Sequence, residues 1–456
     1  MAGDVRLIRS PVSVAGMVLT TISAVLFLIV FLADLFGLHT NPYIGIVFFL
    51  ILPGLFLFGL VLIPFGAWLE WRRRARGKAP AEIHWPRFDL NDPTQRRRAV
   101  LFFALTMANI VIVSLASYRG VEYMDSVQFC GQVCHTVMKP EFVAYQDGPH
   151  SRVNCVQCHI GSGATWFARS KVSGTRQVLA VSFHTYSRPI PSPVEKLRPA
   201  RETCEQCHWP EKFHGDKIVR VTEYADDEKN TESVTTLQVH VGGGSERLGL
   251  ATGIHWHMNL ANEIEYVATD GKRQVIPYVR LKDRFGNLRE YVAEGVTPDA
   301  IAKGERRRMD CMDCHNRPSH QIAPTPERAV NTVMARGEIP KTLPFVHREA
   351  VKALKASYSS QEAAAEGISR ALRDFYRTEP QQIYLTRGQE VEESVKAIVN
   401  IYRRNVFPEM NVQFGTYANN IGHVDFPGCF RCHDDNHKSK DGKKIGQECD
   451  TCHNIE

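Results

Sequence analysis

One short pattern occurs six times in this chain: two cysteines followed at once by a histidine. The six are Cys130-GQV-Cys134-His135, Cys155-VQ-Cys158-His159, Cys204-EQ-Cys207-His208, Cys311-MD-Cys314-His315, Cys429-FR-Cys432-His433 and Cys449-DT-Cys452-His453. Together they use all 12 cysteines. C-x-x-C-H is the attachment signature of c-type haem: both thiols form thioethers to the vinyl groups, and the adjacent histidine is held under the iron. Zinc sites gather thiolates in fours without a histidine after every pair, and secreted disulfide frameworks do not repeat one motif six times. Six covalent haems are therefore expected, with His135, His159, His208, His315, His433 and His453 as proximal ligands. The first motif has three residues between its cysteines, and the extra one must loop out for both sulfurs to reach the ring.

A six-coordinate iron needs a second axial ligand, and 12 of the 18 histidines lie outside the motifs. Those in short runs tied to a motif are the leading distal candidates: His150, His214, His320, His423 and His437. The segment GIHWHM offers His257 or His255 as a sixth, and His184 is weaker. Methionine also serves as an axial ligand and raises the potential, so Met138, three residues after His135, competes for the first iron.

The chain has 55 Lys+Arg against 49 Asp+Glu, and the excess is local. Residues 1–118 hold 11 Lys+Arg and 6 Asp+Glu, which leaves the remaining 338 residues nearly neutral. Nucleic-acid binding by that part loses its main support, and 44% hydrophobic content excludes a disordered chain.

The same 118 residues read as a membrane anchor. Ser10–Ala33 contains no ionisable side chain, Leu35–Leu69 no formal charge, and Ala99–Tyr118 supplies a third uncharged stretch. Each is long enough for a helix to cross a bilayer core about 30 Å thick. Three transmembrane helices are expected, the second over roughly Tyr43–Phe65 after a turn at His39–Pro42, with Pro53 and Pro64 bending or ending it. Nine Lys+Arg lie in Glu70–Arg98, so that loop is cytoplasmic. Everything after Arg119 then lies on the opposite face of the membrane.

The proximal histidines are spaced by 24, 49, 107, 118 and 20 residues. Between His214 and Arg306, KIVRVTEY, VTTLQVHV, NEIEYVAT and QVIPYVRL are β-rich and broken by turns, which predicts an antiparallel β insertion. From Thr325 to Asn405, HREAVKALKASY, SSQEAAAEGISRALRDFY and EVEESVKAIVNIYRRN have helical periodicity. The expected organisation is a three-span anchor (1–118), a first haem domain (119–215), a β-rich insertion (216–305) and a helical segment with haems four to six (306–456). The haem domain is expected to be mainly helical or irregular.

The third span running into YRGVEYMDSVQFCGQVCHTVMKPEF, then HSRVNCVQCH and ETCEQCH, resembles the NapC/NirT/NrfH family of membrane-anchored multihaem quinol dehydrogenases. The resemblance covers roughly residues 99–215. The C-terminal PGCFRCHDDNHKSKDGKKIGQECDTCH, with GIHWHM, looks like longer relatives. The family implies a multi-pass protein of the bacterial inner membrane with its haem domain facing the periplasm, oxidation of membrane quinol and delivery of electrons to a periplasmic or outer-membrane redox protein. It also implies a quinol-site lysine about a dozen residues after the second motif, which Lys171 matches. The family's acidic partner would fall near Val178, where there is no carboxylate, so Glu141 or Asp147 would have to accept protons. The family's first motif is normally C-x-x-C-H-x-M, whereas here one residue is added inside the cysteine pair and Met138 follows His135 by three.

Two other readings belong to different classes: a terminal reductase acting on nitrite, hydroxylamine or a sulfur oxyanion, and a haem wire within a larger respiratory complex. The first needs an iron with an open distal position. No C-x-x-C-K motif is present, and spare histidines are plentiful.

Overall fold

The computed structural model describes residues 10–35, 52–77, 89–133, 135–161, 163–194, 197–209, 212–213, 215–243, 253–259, 262–283, 285–378 and 383–455. His39, His84, Cys134 and His214 lie outside these residues. The chain divides into two compact units, one of residues 1–124 with 160–178 and the other of 125–159 with 179–456.

The first unit holds helices α1 (Pro11–Leu35), α2 (Leu52–Ala75) and α3 (Pro93–Met124). Helices α1 and α2 pack through small residues, which let backbones approach closely where large apolar side chains face outward. A Cβ on Gly16 would lie 2.8 Å from the Gly59 carbonyl, and one on Gly59 would lie 2.4 Å from Thr20 Oγ1. Ser13 Oγ donates to the Ile63 carbonyl at 2.9 Å. Val18, Ile22, Leu57 and Phe58 are exposed on the outer faces. Pro64 does not end α2, which continues through it into the basic WRRRA segment. One missing backbone hydrogen bond is tolerated there. Among the described residues, Gly54–Arg73 is the one span long and apolar enough to cross a membrane by length and composition, and Pro11–Leu26 is shorter.

The second unit opens with a π-turn, Phe129–Val133, followed by α4 (His135–Asp147) and α5 (Cys155–His159). Helix α6 (Ala164–Ser182) lies largely within the first unit. After α7 (Ala200–Cys204) come strands β1 (Lys217–Tyr224) and β2 (Glu232–Val239), then a single 3-10 turn over Ile254–Met258. Strands β3 (Glu263–Ala268), β4 (Tyr278–Lys282) and β5 (Leu288–Ala293) are followed by α8 (Pro298–Lys303) and β6 (Glu305–Arg308). The fourth motif forms α9 (Cys311–Cys314).

The strands build two antiparallel sheets, and each is completed from the C-terminus. Strand β8 (His453–Ile455) pairs with β2, and β7 (His437–Lys438) pairs with β5. The orders are β1-β2-β8 and β6-β3-β4-β5-β7. Residues 216–305 therefore do not close either sheet alone.

Helices α10 (Pro326–Ala335), α11 (Val346–Lys355), α12 (Gln361–Thr378) and α13 (Ile383–Asn405) form the largest apolar core. Val330, Leu343, Ile368, Val391 and Ile398 are fully buried in it. This bundle is a protein core of the ordinary kind, with apolar residues recurring on one face of each helix.

Candidate metal centres

Cys155–His159 and Cys311–Cys314 are short α-helices, and the fifth and sixth motifs open in 3-10 turns at Gly428–Arg431 and Cys449–Thr451. The backbone N–H of His208 donates to the Cys204 carbonyl at 2.8 Å, His315 to Cys311 at 2.8 Å and His433 to Cys429 at 3.0 Å. Residues i, i+3 and i+4 of a turn share one face, so two sulfurs and one imidazole are presented together. The first motif opens in the π-turn Phe129–Val133, a geometry with one residue more per hydrogen-bonded turn than an α-turn. Gly131 is needed there, because a Cβ would lie 2.1 Å from the Phe142 ring.

None of the described cysteines is joined in a disulfide. Among the described residues no group of three or more His, Cys, Asp or Glu converges as a site for a bare metal ion, whereas structural zinc needs four ligands. Burial pushes the thiols of Cys314 and Cys432 up to about 12. A hydrogen bond with Cys155 raises Cys130, and one with Cys311 raises Cys204, so thiols of the first and second motifs, and of the third and fourth, lie against one another.

The histidines answer a different requirement. Two imidazoles on opposite sides of one metal, each with a bond of about 2.0 Å, have ring centres about 6.3 Å apart. Among the described residues five such pairs occur, each with one motif histidine. His150 faces His208 at 6.1 Å, His320 faces His159 at 6.2 Å and His255 faces His315 at 6.3 Å. His257 faces His433 at 5.8 Å, and His423 faces His453 at 6.1 Å. These residues fit haem iron, which each facing pair of rings could hold between them.

The tautomers suit the same task. A carbonyl only accepts, so a ring nitrogen beside one carries the proton and leaves the other nitrogen's lone pair for a metal. The Nδ1 atoms of His255, His257 and His320 donate to the carbonyls of Val241 at 2.9 Å, Ile254 at 2.8 Å and Glu141 at 2.9 Å. His150 Nδ1 donates to Pro318 at 3.3 Å and His433 Nδ1 to Gly446 at 2.9 Å. Burial holds His159, His257 and His315 below the ordinary imidazole range, favouring the neutral, ligating form.

Other expected residues have different surroundings. His437 is buried with both ring nitrogens engaged, Nδ1 by Asp434 at 2.8 Å and Nε2 by the Ile276 carbonyl at 2.6 Å. It has no nitrogen left for iron, which corrects its placing among distal ligands. His184 lies beside Tyr186 in left-handed backbone, and His240 pairs with Asp216 at 3.1 Å. Met138 is one turn beyond His135 on α4. Positions three apart lie on one helix face, so the two are alternatives on one side of an iron and not a trans pair.

Glu141 is also committed. Its carboxylate accepts from Arg317 Nη2 at 2.9 Å, and the two side chains are only 13% and 8% exposed. Asp147 pairs with Arg404 at 3.0 Å and is far more open. Lys171 lies on α6 in the first unit, its Nζ 3.9 Å from Met124 Sδ and 4.7 Å from the Phe167 ring centre.

Opposed imidazoles on C-x-x-C-H turns, following a helical N-terminal unit, define a c-type cytochrome, and the chain belongs to the NapC/NirT cytochrome c family, which is membrane-anchored. Residues 93–191 match that family's N-terminal region. The chain is 41% identical, over 98% of its own length and 88% of the relative's, to the cytochrome c-type protein ImcH of Geobacter sulfurreducens. No solved structure matches it.

Proposed function

We propose that this chain is a six-haem quinol-oxidising cytochrome that delivers electrons to a periplasmic or outer-membrane redox protein. The observation carrying this reading is the set of five opposed imidazole pairs at 5.8–6.3 Å. When bound, c-type haem supplies one-electron redox chemistry, with its potential set by the axial ligands and their hydrogen bonds.

The rest of the mechanism belongs to the chain. The three N-terminal helices span the bilayer with the Glu70–Arg98 segment on the cytoplasmic side, and the haem-bearing part faces the periplasm. Lys171, on a helix grouped with the membrane unit and with its Nζ beside a thioether and an aromatic ring, hydrogen-bonds a quinone oxygen. Of the two carboxylates, Asp147, 41% exposed, is the one open to pass protons to water, whereas Glu141 holds Arg317. A terminal reductase needs an iron with a free distal position, and the five facing pairs of rings argue against one at the second to sixth motifs.

Replacing Lys171 with Ala lowers quinol-dependent haem reduction in membranes while leaving reduction by dithionite intact. Equal quinol-dependent rates in Lys171→Ala and wild type would remove Lys171 from the site.

A further inference from the structure

We infer that the turn Ile254–Met258 ligates two haems at once, His255 capping the iron of the fourth motif and His257 that of the fifth. In a 3-10 turn successive side chains are spread by about 120°, so residues two apart diverge and cannot meet across one iron. The three side chains in the middle of the turn go three ways. His255 faces His315 at 6.3 Å with ring planes 8° apart. Trp256 packs into the core of Ile264, Tyr266 and Val279 under the larger sheet. His257 faces His433 at 5.8 Å with planes 80° apart.

The backbone is built to hold this divergence. Ile254 N–H donates to His240 at 2.9 Å, His255 N–H to Val241 at 3.1 Å and Trp256 N–H to Gly253 at 3.0 Å. Gly253 adopts φ +71°, and a Cβ there would lie 2.4 Å from the His240 carbonyl. The two motifs are also tied directly, since Arg431 of the fifth donates to the Asp313 carbonyl of the fourth at 2.6 Å. Asn420 donates to the same carbonyl at 2.9 Å. Two neighbouring irons thus share one rigid clasp, and neither distal ligand can shift without moving the other.

The ring angles give each iron its own signature. Parallel imidazole planes act on the same iron dπ orbital and split the pair, giving a rhombic low-spin ferric signal. Perpendicular planes act on both orbitals equally and leave a strongly anisotropic one. The test is electron paramagnetic resonance of the full-length, haem-loaded protein with spins counted per chain. His255→Ala removes one rhombic low-spin iron, His257→Ala removes one strongly anisotropic low-spin iron, and the double variant removes two. A double variant that loses only one low-spin iron, or a single variant that loses none, overturns the inference.

If the alanine variants load haem poorly, His255→Met and His257→Met retain a ligand and each raises the potential of one haem. Two different components of the redox titration then shift, and a shift of the same component in both variants overturns the inference. The inference rests on the haem reading above. A wild-type pyridine haemochrome count too low to fill the fourth and fifth motifs overturns both, whereas a full count with unchanged low-spin iron in the variants overturns only the clasp.

Discussion

Arg317→Met isolates the joint that holds His320 opposite His159. Arg317 Nε donates to the His320 carbonyl at 2.6 Å, its Nη2 reaches both Glu141 oxygens at 2.9 and 3.2 Å, and its guanidinium lies 4.0 Å from the Tyr417 ring centre. Methionine keeps much of the volume and removes every donor. Glu141 then retains a contact with His320 Nδ1 at 3.4 Å but loses its cationic partner. Leaving a buried charge unpaired costs about 3–5 kcal/mol, and the slight exposure of Glu141 favours the lower figure, about 3 kcal/mol. That corresponds to roughly a hundredfold loss of protection in native-state hydrogen exchange across α4 and residues 315–322. The double variant Arg317→Met with Glu141→Gln recovers most of it, because no unpaired charge remains. Wild-type protection in the single variant, or a double variant as labile as the single, would refute the reasoning.

Acid weakens the imidazole pairs. Burial favours the neutral rings of His159, His257 and His315. Between their lowered folded pKa and the unfolded value of about 6.5, the unfolded chain therefore binds more protons than the folded one. Their contribution to stability is complete above that unfolded value and declines as pH falls. Low-spin iron, read from the visible spectrum, is accordingly expected to convert to high-spin on acidification, and conversion on alkalinisation instead would contradict this sign. Gly131→Ala drives a methyl group into Phe142, at a cost of about 1–3 kcal/mol for overpacking. It is expected to lower haem content by one per chain in quantitative mass spectrometry, and full occupancy would show that the π-turn yields.

The motif turns are legible in the sequence because the chemistry of each is contained in four or five consecutive residues. The helices of 326–405 are legible for a similar reason: the periodicity of HREAVKALKASY and EVEESVKAIVNIYRRN is a local property. The pairing of histidines is not local. His150 precedes the second motif but faces His208 of the third, and His320 follows the fourth but faces His159 of the second. Nearness in the chain suggested His437 as a ligand, yet the ring is held between Asp434 and the Ile276 carbonyl. A short segment beside a motif stays on the motif's own side of the iron, and the opposite side is reached by chain arriving from elsewhere. Likewise, nothing in EFVAYQD distinguishes a proton-accepting Glu141 from one that holds Arg317, a partner 176 residues away.

The completion of both sheets by the last residues bears on how the protein is made. Glu294, at the end of β5, waits for Lys438 across 144 residues, which at synthesis rates of about 5–20 residues per second is roughly 7–30 s. Throughout that interval β5 and β2 present unpaired edges, the surfaces most prone to pair with other chains. Both sheets therefore stay incomplete until residues 437–455 are made, so a nascent chain stalled before residue 437 keeps open strand edges available to proteases and to other chains.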